Sequence, residues 1–467
     1  MRNHSLTRRA MCALAVTLAS CAGARADIKN WQTGQTIPGT EGISPGPYVD
    51  LSYWNSDPHN LRYANLSGGL DLNHGYFDGS WLDYARFTQA DLSSAMFEFA
   101  TLTSADLSGA NLTDADLVES TLVNCDLSRA NLTRAYIGFA DLGLFAKLTG
   151  ADLTDAVVKG TFFSGSTLFG LTKEQLYSTA SYKDRDLKGI DLSVNDLSGW
   201  DFAGQNLANS NFEKANLDHA DLSRANLTGA QFYDAYLRFA DLREANLTHV
   251  HFGSLVSNER MTHADLSRAD MRGSWYFTPS PDQDVTMSNT ILNWGGVEGM
   301  SLGDGETMPI RDYDGGIPIK IDNGMTLGSG SMLEVLFSDA TWGSTITLRG
   351  GFTPDLGGTL KLSFAADADL PALVGTTFDL FNWNGQLLPG DYFDRIESLP
   401  GFMWDTSNLY STGEVTLMAV PEPATLMLLL GAVGTVGLRR GRGPGGPRPP
   451  QRCYSSENRP AVPSCSA

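Results

Sequence analysis

Three of the chain's seven histidines lie close together, His249, His251 and His263. His249 and His251 flank Val250 and can point outward side by side, which makes them the one place where imidazole chemistry is conceivable. The plainer reading, exposed polar residues, is preferred. His219 lies thirty residues before His249, one and a half turns of the winding described below, and is expected on the opposite side. Asp304-Gly305 and Asp312-Tyr313-Asp314-Gly315 have the composition of calcium loops but lack the twelve-residue ligand spacing, and read as turns. No Gly-rich phosphate loop, paired metal-spacing cysteines or nucleophile elbow occurs. These residues point to no catalytic site, no metal site and no cofactor, and the expectation is a protein that is not an enzyme.

Sharper chemistry lies at the ends, and it is chemistry done to the chain. Arg2, Arg8 and Arg9 precede a mildly apolar run, Met11 to Gly23, and Ala24-Arg25-Ala26 forms an A-x-A cleavage site before Asp27. That is a secretory signal peptide with Ala24 and Ala26 at the cut. Two alternatives share these residues: Leu18-Ala19-Ser20-Cys21 resembles a lipobox that would lipidate Cys21, and Thr7-Arg8-Arg9 is a loose twin-arginine motif. At the other end, Val420-Pro421-Glu422-Pro423 is followed by the apolar stretch Ala424 to Leu438 and then Arg439-Arg440-Gly441-Arg442. Fifteen helical residues span about 22 Å, short of the roughly 30 Å hydrocarbon core. The arginines should stay on the cytoplasmic side. A short, Gly-containing span behind a stiff Pro-Glu-Pro suits a segment that is held in the membrane and then cut. A plain single-pass anchor is the alternative.

Residues 420–442 resemble the PEP-CTERM signal of Gram-negative bacteria, which an exosortase recognises. The resemblance rests on Pro421, Glu422 and Pro423, the short transmembrane segment, and Arg439 and Arg440. It implies transient inner-membrane anchoring, then processing and release to the cell surface or extracellular matrix. Such signals usually end soon after the arginines, whereas here residues 443–467 follow, a Pro/Gly/Arg-rich tail read as disordered.

The elements between these ends show a period that fits neither helix nor strand. From Leu72 to Leu142 an apolar residue stands at every fifth position, fifteen times running, and from Leu187 to Phe252 fourteen times more. Two places before most of those in the first run stands a small residue, usually Ala, as at Ala90, Ala105 and Ala130. The chain must turn a corner every five residues and wind into a square solenoid. Cys125 occupies one of the small inward positions and reads as a substitute for Ala. Asp commonly precedes the central Leu, as at Asp91, Asp106 and Asp126, where a short carboxylate can bond nearby backbone amides. Without residues 1–26 and 421–467 the chain has 23 basic and 51 acidic residues, a charge of −28, which disfavours nucleic acid as a partner.

The run Ala105-Asp106-Leu107-Ser108-Gly109-Ala110-Asn111-Leu112-Thr113 and its near-copies over 215–247 resemble the pentapeptide-repeat family. The resemblance implies a right-handed quadrilateral β-helix with four repeats per coil. After Leu142 the period is expected to continue with a one-residue slip through Leu148, Leu153, Val158, Phe163 and Leu168, and to return at Met261, Leu266, Met271 and Tyr276. Thr172 and Gln175 signal a capping box at a helical break near 171–180. The chain is therefore read as an all-β protein: signal peptide 1–26, N-terminal cap 27–60, β-helix 61–276, a second β-rich module 277–419, sorting signal 420–442 and tail 443–467. The function expected is that of an exported structural or interaction protein. Its partners would be the exosortase and secretion machinery, and exopolysaccharide or surface proteins. A specific binder and, less favoured, a polysaccharide-acting enzyme are the alternatives.

Overall fold

The computed structural model describes residues 27–57, 60–143, 145–253, 260–275, 284–313, 316–365, 368–398 and 401–419. Why the chain winds as it does follows from where each backbone N–H goes. In the repeat centred on Leu107, the Leu107 N–H donates to the Asp126 carbonyl of the next coil at 2.8 Å, and that of Gly109 to Ser128 at 2.9 Å. The Asp106 N–H donates back to Ala85 of the preceding coil at 2.9 Å, and the Ala110 N–H closes the corner on Leu107 at 3.0 Å. One donor per repeat is left over, the Ser108 N–H, and the Asp106 carboxylate accepts it at 3.0 Å. The same local bond recurs at Asp91–Ser93, Asp126–Ser128 and Asn131–Thr133. Where Asp or Asn precedes the central Leu, it supplies the short acceptor this donor needs.

Bridge partners such as Asp91, Asn111 and Asn131 lie twenty residues apart, so four repeats make one coil of a quadrilateral β-helix. Every apolar residue from Leu72 to Leu142 and from Leu187 to Phe252 in the five-residue series is buried, with the Ala column packed beside it. Coil-to-coil stacking completes that core: Phe77 lies 4.7 Å from Phe97 and Phe212 lies 5.0 Å from Phe232, ring centre to ring centre. Corner residues two places after each centre are left-handed; Asp114, Glu119, Asn124 and Arg129 have φ between 56° and 59°. That conformation costs a side-chain-bearing residue on the order of 1 kcal/mol, and the bonds to the neighbouring coils hold it.

Trp81, Thr101, Thr121, Asp141, Phe162, Asp191, Asn211, Gln231, His251 and Trp275 form one unbroken ladder, so the two repeat runs belong to a single rod. Nine steps of about 4.8 Å give it a length of roughly 43 Å along this edge. Insertions are absorbed coil by coil. Asp126 pairs with Lys147, Phe162 with Asp191 and Asp241 with Asp265, separations of 21, 29 and 24 residues. The largest insertion holds a 3₁₀ turn at Ser166–Phe169 and two short helices, α1 (Lys173–Ser178) and α2 (Ala180–Lys183). Thr172 and Gln175 make both bonds of the capping box. Leu168 departs from expectation: it does not continue the inward column but lies in the 3₁₀ turn, 75% exposed. Left-handed Gly165 and Gly170 bracket that turn and swing the chain outward, and Leu171 and Leu176 take the buried positions instead. Coil geometry also extends past both expected limits, at Asp50–Tyr76 and at Asp270–Ile291.

From Gly296 the chain alternates between two parallel sheets. One contains β1 (Gly296–Leu302), β3 (Ile319–Leu327), β5 (Ile346–Leu348) and β8 (Phe381–Asn382). The other contains β2 (Thr307–Arg311), β4 (Met332–Phe337), β6 (Thr359–Phe364) and β9 (Arg395–Glu397). From β1 to β6 consecutive strands feed different sheets and pair in parallel with the next-but-one, as Met308 with Leu333 and Leu333 with Leu360, and β5 then pairs with β8 and β6 with β9. The β-rich segment is thus a second parallel solenoid with longer coils. In β4, Leu333, Val335 and Phe337 point inward by simple alternation. The run Thr376 to Trp383, expected as one strand, is divided into β7 (Thr377–Asp379) and β8. β7 joins β10 (Phe402–Asp405) and β11 (Glu414–Ala419) in a separate three-stranded sheet. A short α3 (Leu370–Leu373) precedes β7.

Candidate functional site

The rod does not gather the histidines. His263 stacks on Phe239 at 4.7 Å and Phe239 on His219 at 4.8 Å, three rings on one corner. His219, expected to stand apart, therefore shares an edge with His263. The cause is the four-residue insertion after Phe252, which lengthens that coil and carries His263 over Phe239. His249 stacks on Tyr313 at 5.2 Å and His251 on Trp275 at 5.7 Å. The trio is split among three places. Among the described residues no group of three or more His, Cys, Asp or Glu is placed to hold a metal ion.

Asp312 builds a turn. One of its oxygens accepts the Tyr313 and Gly343 N–H groups at 2.8 and 2.9 Å, and the other accepts the Ser338 hydroxyl at 3.0 Å; Asp314 and Gly315 lie outside the described residues. Cys125 is buried in the Ala column. Burial, reinforced by the Asp126 and Asp106 carboxylates, pushes its thiol far above the ordinary range, which suppresses the nucleophilic thiolate.

Outward polar groups are largely engaged along the rod axis. The Asn246 amide donates to Asn226 at 3.3 Å and the Asn226 amide to Asn206 at 3.2 Å, a ladder with one rung per coil. Lys147 reaches Asp126 at 2.8 Å, Arg134 reaches Asp114 at 2.7 Å and Lys183 reaches Asp155 at 2.6 Å. Partial burial would raise the Asp126 carboxyl, but hydrogen bonds from Lys147 and Ser128 hold it below its ordinary value.

Among the described residues a buried charged cluster joins the rod to the second solenoid. Arg272 and Asp270 have no exposed side-chain surface and pair at 2.6 Å. Arg272 also donates to the Ser344 hydroxyl at 2.7 Å and to the carbonyls of Arg311 and Ile317 at 2.9 and 3.3 Å. Arg268 bridges Glu244 at 3.1 Å and Glu306 at 2.8 Å, and Arg311 donates to the Glu244 carbonyl at 2.9 Å. Burial lowers the Arg311 guanidinium from its ordinary value, opposed by the nearby Asp270 and Glu244 carboxylates. Sequence reasoning passed over this cluster. Nothing in the repeat singles it out, because Arg238 and Arg243 stand at the same position as Arg272 and are half exposed.

Ala24, Ala26, Cys21, Pro421, Glu422, Pro423, Arg439 and Arg440 all lie outside the described residues. So does the apolar stretch 424–438; among the described residues no helix is long and apolar enough to cross a membrane.

Residues 72–109, 110–143, 186–224, 196–232 and 230–252 match the family model of pentapeptide repeats, in eight copies. Among solved structures, the chain is similar to HetL, a pentapeptide repeat protein involved in heterocyst differentiation regulation from the cyanobacterium Nostoc sp. strain PCC 7120. The identity is 25%, over 53% of this chain and 90% of that one, with a TM-score of 0.26. A pentapeptide repeat protein from the Arabidopsis thaliana thylakoid lumen is 33% identical over 20% of this chain and 70% of that one, with a TM-score of 0.16. QnrB1, a plasmid-mediated fluoroquinolone resistance protein, is 16% identical over 46% and 89%, with a TM-score of 0.15. No curated protein matches.

Proposed function

With the rod a pentapeptide-repeat β-helix, we propose that the chain is an exported, non-enzymatic structural or interaction protein. It is delivered to the cell surface or the extracellular polysaccharide matrix through an exosortase, after transient anchoring in the inner membrane. The observation that carries the non-enzymatic part is the use made of the reactive groups. Asp and Asn side chains complete the backbone of their own repeats, Asn amides bond from coil to coil, and His219, His249, His251 and His263 are engaged in ring stacks. Such groups are committed to holding a rigid surface in place. The delivery part is supported by the order of Pro421-Glu422-Pro423, the short apolar span and Arg439-Arg440.

Mass spectrometry of extracellular protein tests the delivery. The chain should begin near Asp27 and end close to Pro421–Pro423, with the segment bearing Cys453 and Cys465 missing. Replacing Pro421, Glu422 and Pro423 by alanine keeps the apolar span and its basic flank, so insertion should survive while release fails. Recovery of chains reaching Ala467 from the medium, or efficient release of the alanine variant, would sink the idea.

A further inference from the structure

One edge of the rod carries a spaced row of exposed rings, two of which lie over a glycine of the next coil, Tyr53 over Gly79 and Phe139 over Gly160. Its corner column runs Tyr53, Gly79, Phe99, Glu119, Phe139, Gly160, with an aromatic at every second corner. Backbone bonds place these residues coil over coil: the Tyr53 N–H donates to Asp78, that of Gly79 to Glu98, that of Phe99 to Val118, that of Glu119 to Gly138 and that of Phe139 to Lys159. Tyr53 is 63% exposed, Phe99 56% and Phe139 43%. Among the described residues none of these three stacks on another ring, whereas Phe239, on a different corner, is sandwiched between His219 and His263. The face leading into this edge carries Tyr76, Met96 and Tyr136 at bridge positions, interleaved with Asp50 and Asp116, whereas the face before it has Asp71, Asp91 and Asn111.

Two coils advance about 9.6 Å, since one advances about 4.8 Å. Two consecutive sugars of an extended β-1,4-linked chain advance by nearly the same length. We propose that this edge binds a neutral, extended β-1,4-linked polysaccharide lengthwise, with Tyr53, Phe99 and Phe139 packed against the apolar C–H surface of every second sugar. Aromatic side chains suit the task because they offer large apolar contact at small cost in conformational freedom. The exposed Glu119 carboxylate, between Phe99 and Phe139, accepts hydrogen bonds from sugar hydroxyls. Charge selects among the other occupants of such a surface. At −28 between Asp27 and Val420, the chain repels polyanionic glycans, nucleic acid and a second copy of itself, and a neutral polyol carries no such penalty. The inference rests on the surface-scaffold reading, whose ligand class it names.

The test uses the purified full chain with cellohexaose and chitohexaose as probes, followed by titration calorimetry. At least one oligosaccharide should bind, and polygalacturonate should bind at least tenfold more weakly. Phe99→Asn with Phe139→Asn should weaken binding at least tenfold and leave the melting temperature near that of the native chain, because Asn tolerates the left-handed corner. Phe239→Asn should bind like the native chain. Should the double variant melt early, Tyr53→Asn alone, at the end of the row, is expected to weaken binding severalfold. Failure of both oligosaccharides to bind, or undiminished binding by the folded variants, overturns the proposal. Those results would leave the extracellular mass spectrum unchanged, and a chain that is never released can still bind sugar, so the two readings fail separately.

Discussion

Each repeat has five backbone donors, and four are answered by the winding itself. Where Asp or Asn precedes the central residue its side chain answers the fifth, so much of the acidity of the rod is first a consequence of backbone bonding and only then a surface property. The inward Leu answers a different need, since a single coil cannot bury it and the coils above and below must. Leu112, fully buried in mid-column, measures that dependence. Leu112→Ala should cost about 2–5 kcal/mol through lost contacts and the cavity left behind. Leu112→Lys should cost more, because it buries an unpaired charge. Lys188→Ala, on an exposed outward position, should stay within about 0.5 kcal/mol of the native chain. Denaturant titrations of the three variants decide it, and equal midpoints would mean that the inward register is wrong.

At the level of elements, the rod tolerates insertions because neighbouring coils need only regain register before the next ladder position. The segment between Gly165 and Asp186 shows how it is tied down. Gln175 accepts the Thr172 N–H at 2.8 Å, and its amide donates to the Leu148 and Ala151 carbonyls, both at 2.8 Å. One side chain thus closes the helix start and fastens it to the coil before. Gln175→Ala should leave the Ala151 carbonyl unanswered, since Leu148 still accepts the Ala151 N–H, and cost about 1–3 kcal/mol. The loss should be local, because the Phe162–Asp191 bridge carries the ladder past the insertion. Limited proteolysis should therefore cut faster between residues 170 and 186 while cleavage elsewhere is unchanged. Uniformly faster cleavage along the rod would show that the insertion is part of the rod's global stability.

Over the whole molecule, two solenoids of different coil length meet at a buried ion pair. Arg272, on the last full coils of the rod, reaches a hydroxyl and two carbonyls of the second solenoid while pairing with Asp270. Arg272→Ala leaves the Asp270 carboxylate buried without its partner, a loss of about 3–5 kcal/mol. Removing both charges in Arg272→Met with Asp270→Leu should be far milder, since the desolvation cost disappears with the pair. Calorimetric scans should show one transition for the native chain and two for Arg272→Ala, as the solenoids uncouple. A single unshifted transition in Arg272→Ala would mean that the pair does not couple them.

The five-residue period was legible in the residues alone because every coil repeats the same demand, one large and one small side chain inward, and repetition turns a weak local preference into a pattern. The capping box was legible for a related reason, since Thr172 and Gln175 satisfy each other within one turn. What the tertiary structure decided was whatever depends on how many residues separate one coil from the next. Leu168 kept the period in sequence but lost the core, because left-handed Gly165 and Gly170 turned the chain out between them. His219 met His263 only because four inserted residues changed the coil length. Arg272 became a buried tie only when strands some forty to seventy residues further on closed over it. The row of Tyr53, Phe99 and Phe139 likewise exists only in the folded rod. Composition and local spacing determine which side of the chain faces inward; the separation between stacked coils, summed over every insertion, determines which outward residues become neighbours.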